Sequence, residues 1–157
     1  MEHDQYEERL NTFIREHRIK AEHLHFEQSC HSVEEASRAA NADAADDFVK
    51  NICMIDAHGN LIVAIVKGED RASTERVAKA LGTERPRTAT PEEILKKTGY
   101  PCGGTPSFGY PAIFLVDPRV MEKEMVYSGG GSENALVKIA PAELQRANDG
   151  QVIRVRK

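Results

Sequence analysis

The sequence has few cysteines and no long apolar run. Its three cysteines cannot all pair and no two of them form a CxxC motif, which disfavours a disulfide framework and a zinc site built from thiolates. The longest strongly apolar stretch, 61–66, has six residues, whereas a membrane-spanning helix needs about 20. We therefore expect a protein of a reducing compartment that does not enter a membrane.

Features of a secretory signal peptide are also missing, because residues 1–5 are acidic and polar. Of the 157 residues, 40% are hydrophobic and 29% are charged, which suits a globular protein rather than a disordered chain. A chain of this length is too short for two independent cores. We predict one domain over 1–157, located in the cytoplasm.

Basic residues are in the minority overall, and they are unevenly distributed. The formal net charge is −4. Residues 1–47 contain 12 acidic and 5 basic residues, whereas residues 48–157 contain 13 acidic and 16 basic residues. Proteins that coat DNA or RNA are normally basic overall, so no DNA partner is expected. A local site for a few phosphates in the C-terminal two thirds is compatible with these counts.

Periodicity and capping signals predict five helices. An apolar stripe with helical spacing marks the first, and it consists of Tyr6, Leu10, Phe13 and Ile14. Capping residues predict three further helices, which begin after Ser32, Ser73 and Thr90. Gly82 and Gly99 are placed to end the last two of these. A short fifth helix is predicted from Pro141.

Apolar runs predict the strands of a mixed sheet. Two of them, 48–56 and 61–66, flank a Gly59 turn and predict a hairpin whose second strand is central, because it is apolar on both faces. Other short strands are expected around Leu24 and over 112–116, 125–127, 135–139 and 152–155. The pattern as a whole predicts an α/β fold, with helices packed around a mixed sheet.

A lysine lies inside the first strand of the predicted hairpin. On a period of two, Lys50 shares a face with Ile52 and Met54. Its ammonium group must therefore extend to the rim of the sheet or meet an anion in a site. An ordinary surface lysine is the alternative interpretation.

A glycine- and proline-rich loop separates the fourth predicted helix from the next strand. Residues 99–111 contain four glycines and three prolines, and loops of this length in a compact domain are uncommon unless they bind something. A second glycine segment, 129–131, matches neither a Walker loop nor a dinucleotide fingerprint. It is either a plain turn or the far wall of the same pocket. We expect the 99–111 loop to be exposed.

The histidines suggest no metal site. His23, His25, His31 and Cys30 form an incomplete ligand set, and no second cluster completes it, so neither a metal nor another cofactor is expected. His23 and His25 alternate with apolar residues and are expected to face solvent. Cys102 has no nearby activating pattern and is interpreted as a small apolar filler.

Several segments together resemble the YbaK / prolyl-tRNA-synthetase-associated editing-domain family. They are Phe-Val-Lys at 48–50, the helix end at 77–82, the segment 98–109 with its Gly-Gly-Thr-Pro-Ser-Phe-Gly, and the stretch 139–144. They occur in the family's order and cover most of the chain. The resemblance implies a mixed, partly barrel-like sheet surrounded by helices. It also implies hydrolysis of mischarged aminoacyl-tRNA, either within a synthetase or by a freestanding protein acting in trans.

Site residues follow from the same resemblance. Catalytic roles are implied for Lys50, Gly103 and Gly104. Substrate contacts are implied for the rest of the loop, the glycine turn and one histidine, namely Thr105, Pro106, Ser107, Phe108, Gly109, Gly129, Gly130, Gly131 and His31. Many family members have proline where this chain has Ser107, which affects the shape of the loop and the preferred amino acid. The implied partners are the acceptor end of aminoacyl-tRNA and, transiently, an aminoacyl-tRNA synthetase.

The implied chemistry does not require a strong protein nucleophile. Hydrolysis of an aminoacyl ester needs a positioned water and donors for the developing oxyanion. Backbone N–H groups of Gly103 and Gly104 would supply the donors, and Lys50 would hold a terminal phosphate or a ribose oxygen. A non-catalytic module of the same fold that binds tRNA or an acyl-nucleotide is the alternative.

Overall fold

The computed structural model describes residues 2–27 and 47–157. Within these ranges the elements, in chain order, are α1 Glu2–Glu16, β1 Ala21–His25, β2 Val49–Ile55, β3 Leu61–Lys67, α2 Thr74–Leu81, β4 Arg87–Thr88, α3 Pro91–Thr98, β5 Ile113–Val116, α4 Pro118–Met121, β6 Val126–Gly129, β7 Ala135–Ile139, α5 Pro141–Asn148 and β8 Gln151–Val152. The helix predicted after Ser32 lies outside the described residues, as do Cys30 and His31.

The strands form two sheets that meet at one edge. The larger sheet has the order β4-β2-β3-β5-β8 and mixes antiparallel and parallel pairs, and the smaller has the order β1-β7-β6. Phe48, just before β2, forms an isolated bridge with Tyr127 of β6, and the two rings stack with their centroids 5.1 Å apart. The mixed α/β fold predicted from the sequence is confirmed.

The central position predicted for β3 is confirmed, because all seven of its residues are buried. Val63 and Ile65 belong to a first core together with residues of α1, α5 and the glycine-rich loop. Ile62, Ala64 and Val66 belong to a second core with residues of α2 and the C-terminal segment. This two-sided burial explains why the strand has no polar alternation.

Local capping determines the helix ends near the loop. The Ser73 side chain caps α2, and Gly82 ends it with φ +65°. Thr90 and Glu93 form a reciprocal capping box on α3, which ends at Gly99 with φ +82°. These features agree with the sequence predictions. The sequence analysis missed α4 and β4, which have only four and two residues and therefore too short a periodicity to detect.

The edge strand predicted at 152–155 is shorter than expected. Only Gln151–Val152 pairs with β5. The following residues leave the sheet edge and pair with the segment before α2, through a bridge between Ala72 and Arg156. Val155 is completely buried in the second core as a result.

Asp117 is a buried carboxylate that joins the end of β5 to the C-terminal segment. It is completely buried and accepts hydrogen bonds from the N–H groups of Arg119, Val155 and Arg156 and from the Arg156 guanidinium, at 2.8–3.1 Å. Burial raises the pKa of this carboxyl, but the hydrogen bonds outweigh burial and the pKa lies below its ordinary value.

Replacing Asp117→Asn should therefore destabilise the fold by at least about 1.5 kcal/mol, because hydrogen bonds to an ionised group contribute about that much or more. A depressed carboxyl pKa gives stability that is present above about pH 4 and is lost as pH falls through the folded-state value. Urea unfolding at a series of pH values should show that the difference in free energy of unfolding between wild type and variant becomes smaller in acid. A difference in free energy of unfolding that does not change with pH would contradict a stabilising role of the ionised Asp117.

Candidate functional site

The glycine-rich loop is packed into the protein, and the expectation that it is exposed is wrong. Ser107 and Phe108 are completely buried, and Pro106 is buried as well. The Phe108 ring stacks near Phe13 of α1, with the centroids 5.9 Å apart. The loop is buried because the side chains of Tyr100 and Phe108 belong to the first core.

The two predicted glycine segments pack directly on each other, backbone against backbone. The Gly131 N–H donates to the Gly104 carbonyl at 2.8 Å. A Cβ on Gly104 would lie 2.6 Å from the Ser132 nitrogen, and a Cβ on Gly129 would collide with the Thr105 carbonyl. Gly131 has φ +101°, which favours glycine. Glycine is thus required here by the contact between the two segments.

Backbone N–H groups of the loop fall into two kinds. The Gly104 N–H donates to the Pro101 carbonyl at 3.0 Å and so belongs to the loop's own turn. The N–H groups of Gly103 and Thr105, on either side of it, donate to no acceptor in the described residues. Gly103 has φ +98°, which turns the chain sharply at this point.

Asn51 connects the loop to the sheet, and the sequence analysis missed it. Its side-chain N–H₂ donates to the Thr105 carbonyl at 3.0 Å and to the Ser128 hydroxyl at 3.3 Å. Its side-chain oxygen accepts from the Ser107 hydroxyl at 2.7 Å, and the two serine hydroxyls also share a hydrogen bond. A polar amide in an otherwise apolar strand, next to Lys50, was the signal available.

Side chains from other elements fix the remainder of the loop. The Asn148 amide donates to the Ser107 carbonyl at 2.9 Å, and the Tyr110 hydroxyl donates to the Pro106 carbonyl at 2.6 Å. Gly109 lies against the Phe13 ring with φ +97°. The Ser107 hydroxyl is directed into the protein interior, where it contacts Asn51 and Ser128.

Lys50 lies next to this network but on the other face of β2. Consecutive strand residues project to opposite faces, and Lys50 shares its face with the partly buried Ile52 and with Met54, as predicted. It is half-buried and has no hydrogen bond to the loop within the described residues. Burial and the nearby Arg71 lower its pKa, and Asp70 partly opposes them.

A buried acid lies behind the glycine turn. The Glu7 carboxylate accepts from Ser132 Oγ and from His25 Nδ1, both at 2.8 Å. The His23 side chain is only 11% exposed and donates from Nε2 to the Gly130 carbonyl at 2.8 Å. The expectation that His23 faces solvent is therefore wrong. His25 is half exposed. This cluster holds the turn over 129–131 in place.

The described ranges contain neither a metal-ligand cluster nor a membrane-spanning helix. In 2–27 and 47–157, no three His, Cys, Asp or Glu side chains are grouped so that they could bind a metal ion. In the same ranges, no helix combines the length and the apolar character needed to cross a bilayer. The predicted substrate contact of His31 cannot be placed, because that residue is outside them.

Comparisons with known proteins agree with this arrangement. An uncharacterized protein of Bacillus subtilis (strain 168), YwhH, is 24% identical over 130 residues, which are 81% of each chain. The crystal structure of hypothetical protein APE2540 superposes with a TM-score of 0.87 at 26% identity, covering 95% of this chain and 99% of that one. A candidate trans-editing enzyme for prolyl-tRNA synthetase superposes with a TM-score of 0.86 at 24% identity, covering 97% of each.

A model of one protein family matches residues 27–147, which is most of the chain and includes β2, the glycine-rich loop and the glycine turn. The family is the one that the ordered motifs of the sequence resemble. The chain belongs to the aminoacyl-tRNA editing domain family.

Proposed function

We propose that this chain is a freestanding deacylase that acts in trans in the cytoplasm and hydrolyses the ester of a mischarged aminoacyl-tRNA. Membership of the editing-domain family supports aminoacyl-tRNA as the substrate class. The observation that carries the proposal is the loop packed beside β2, whose Thr105 carbonyl is held by Asn51 and whose neighbouring N–H groups donate to no acceptor in 2–27 and 47–157. We also propose that the whole chain, 1–157, is one domain.

The reaction adds water to the ester carbonyl and forms a tetrahedral oxyanion, which collapses to the free amino acid and the tRNA ribose hydroxyl. Donors fixed in advance stabilise such an oxyanion far better than mobile ones. We assign this role to the N–H groups of Gly103 and Thr105, because that of Gly104 already donates to Pro101. Gly104 contributes by allowing the close contact with Ser132.

The other site residues hold and orient the substrate. Lys50 holds a phosphate or ribose oxygen of the terminal nucleotide, which its half-buried ammonium can contact with less competition from water than an exposed lysine. The loop from Pro106 to Gly109 and the turn over 129–131 shape the pocket for the amino acid. His31 contributes a further substrate contact. A synthetase associates transiently to deliver the mischarged tRNA.

Removing the Lys50 ammonium should abolish most deacylation. We expect Lys50→Ala to lower turnover by about 100-fold or more, with an unchanged melting temperature, because Lys50 has no hydrogen bond or ion pair within the described residues. The measurement is release of amino acid from a panel of mischarged tRNAs. Lys96→Ala, at an exposed position in α3, is the matched control.

Two results of this panel would contradict the proposal. Normal turnover by Lys50→Ala would remove the role of Lys50. Binding of mischarged tRNA by the wild type with protection of every ester would instead identify the chain as a non-catalytic tRNA-binding module.

Substitution at the contact between the glycine segments should affect activity and stability together. Gly104→Ala places a methyl group 2.6 Å from the Ser132 nitrogen and forces the segments apart. A misplacement of about 1 Å can reduce a rate about 100-fold, and the melting temperature should fall as well. Gly82→Ala is the control, since its Cβ meets nothing within 4 Å although its φ is +65°. Equal turnover in both variants would show that the loop is only a connector.

Catalysis should not require a metal. Dialysis against a chelator should leave deacylation unchanged, because the assigned roles use backbone N–H groups and an ammonium group. Loss of activity that is restored by stoichiometric zinc would point to a metal site that includes Cys30 or His31.

A further inference from the structure

The segment at 153–157 forms a second, small ladder with the residues that precede α2. The Ser73 N–H donates to the Val155 carbonyl at 2.7 Å, and the Lys157 N–H donates to the Arg71 carbonyl at 2.9 Å. Arg71 and Lys157 are therefore directly opposite each other in an antiparallel pair, and both are exposed. Like charges in this position destabilise a pair of strands, so an intramolecular role does not explain them.

Nearby carboxylates do not neutralise these two cations. The three acids of the adjoining segments are paired with other cations: Glu69 with Lys67 and Arg119, Asp70 with Arg119, and Asp117 with Arg156. Arg154 is also exposed, but it is three residues from Lys157 and therefore projects to the opposite face of the ladder; its Nε–H donates to the Arg156 carbonyl at 3.3 Å. Within the described residues, no carboxylate forms an ion pair with Arg71, Arg154 or Lys157.

One of these cations, Arg71, lies near Lys50. Lys50 pairs with Val66 near the end of β3, where the Gly68 N–H donates to the Phe48 carbonyl at 2.6 Å. The chain then turns and places Arg71 close enough for its charge to act on the Lys50 ammonium. An excess of positive charge thus continues from the half-buried Lys50 to the exposed ladder.

We propose that Arg71 and Lys157 form a phosphate-binding strip that continues from Lys50 and holds the sugar–phosphate backbone of the acceptor arm of the RNA substrate. This inference rests on the proposed function, since it assumes that the terminal nucleotide lies at Lys50. A phosphodiester chain supplies successive negative charges at spacings that side chains of this length can reach. The strip also explains how a chain with a net charge of −4 can bind RNA at one place only.

Salt dependence of RNA binding tests the strip directly. The probe is an RNA hairpin with a single-stranded CCA end that carries no amino acid. Its binding to the protein is measured by fluorescence anisotropy at salt concentrations between about 50 and 200 mM. The logarithm of the association constant falls linearly with the logarithm of the salt concentration, and each lost phosphate contact makes this slope shallower by about 0.7 to 0.9. For the double variant Arg71→Ala/Lys157→Ala we therefore expect a slope that is shallower by about 1.5. The control is Arg85→Ala/Lys96→Ala, at two exposed cations outside the strip. An unchanged slope in the strip variant would overturn the inference.

Measuring kcat and KM on two substrates tests the strip and the proposed function independently. On mischarged tRNA, the strip variant should raise KM by about 10-fold and leave kcat unchanged, because the ester itself is not contacted. On an aminoacyl-adenosine, which has no phosphate backbone, it should match the wild type. A loss of kcat on aminoacyl-adenosine would assign these residues to the catalytic site and overturn the strip. If the wild type hydrolyses neither ester, the proposed function fails, and the binding slope still decides the inference.

Discussion

The contact between the two glycine segments is the constraint on which the candidate site depends. The Gly131 N–H reaches the Gly104 carbonyl, and no Cβ fits on Gly104 or Gly129. At this separation the two backbones fix each other's position without any side chain between them. Ester hydrolysis by positioned water needs donors at fixed places rather than a reactive side chain. Beside this contact, the N–H groups of the partly exposed Gly103 and Thr105 have no acceptor in the described residues.

Buried polar groups hold this contact from both sides. On one side, Asn51 ties the loop to β2 and β6 through Thr105, Ser107 and Ser128. On the other, Glu7 holds Ser132 at the end of the glycine turn. Unsatisfied polar groups are costly in such an interior, and the side chains of Asn51, Ser107 and Glu7 all have partners here. The loop shape is therefore specified by hydrogen bonds as well as by apolar packing.

Sequence reasoning located what depends on local signals. The hairpin around Gly59, the capping box at Thr90 and the face of β2 that carries Lys50 all follow from neighbouring residues, and the structure agrees. It did not locate what depends on distant contacts. His23 is buried because Gly130, more than a hundred positions later, supplies its acceptor, and the loop is buried because Phe108 reaches the core around α1. Strand alternation and glycine content carry no information about either partner.

β1 cannot pair with β7 until most of the described chain has been synthesised. β1 is synthesised before its partner residues, Ala135–Ile139, which come more than a hundred positions later. Ordering such a contact requires closing a long loop before any hydrogen bond is gained, which slows folding. Until then β1 is a strand with unpaired backbone groups, and such an edge can pair with another chain. In the interval between the synthesis of these two strands, residues 21–25 are therefore a place where nascent chains can associate.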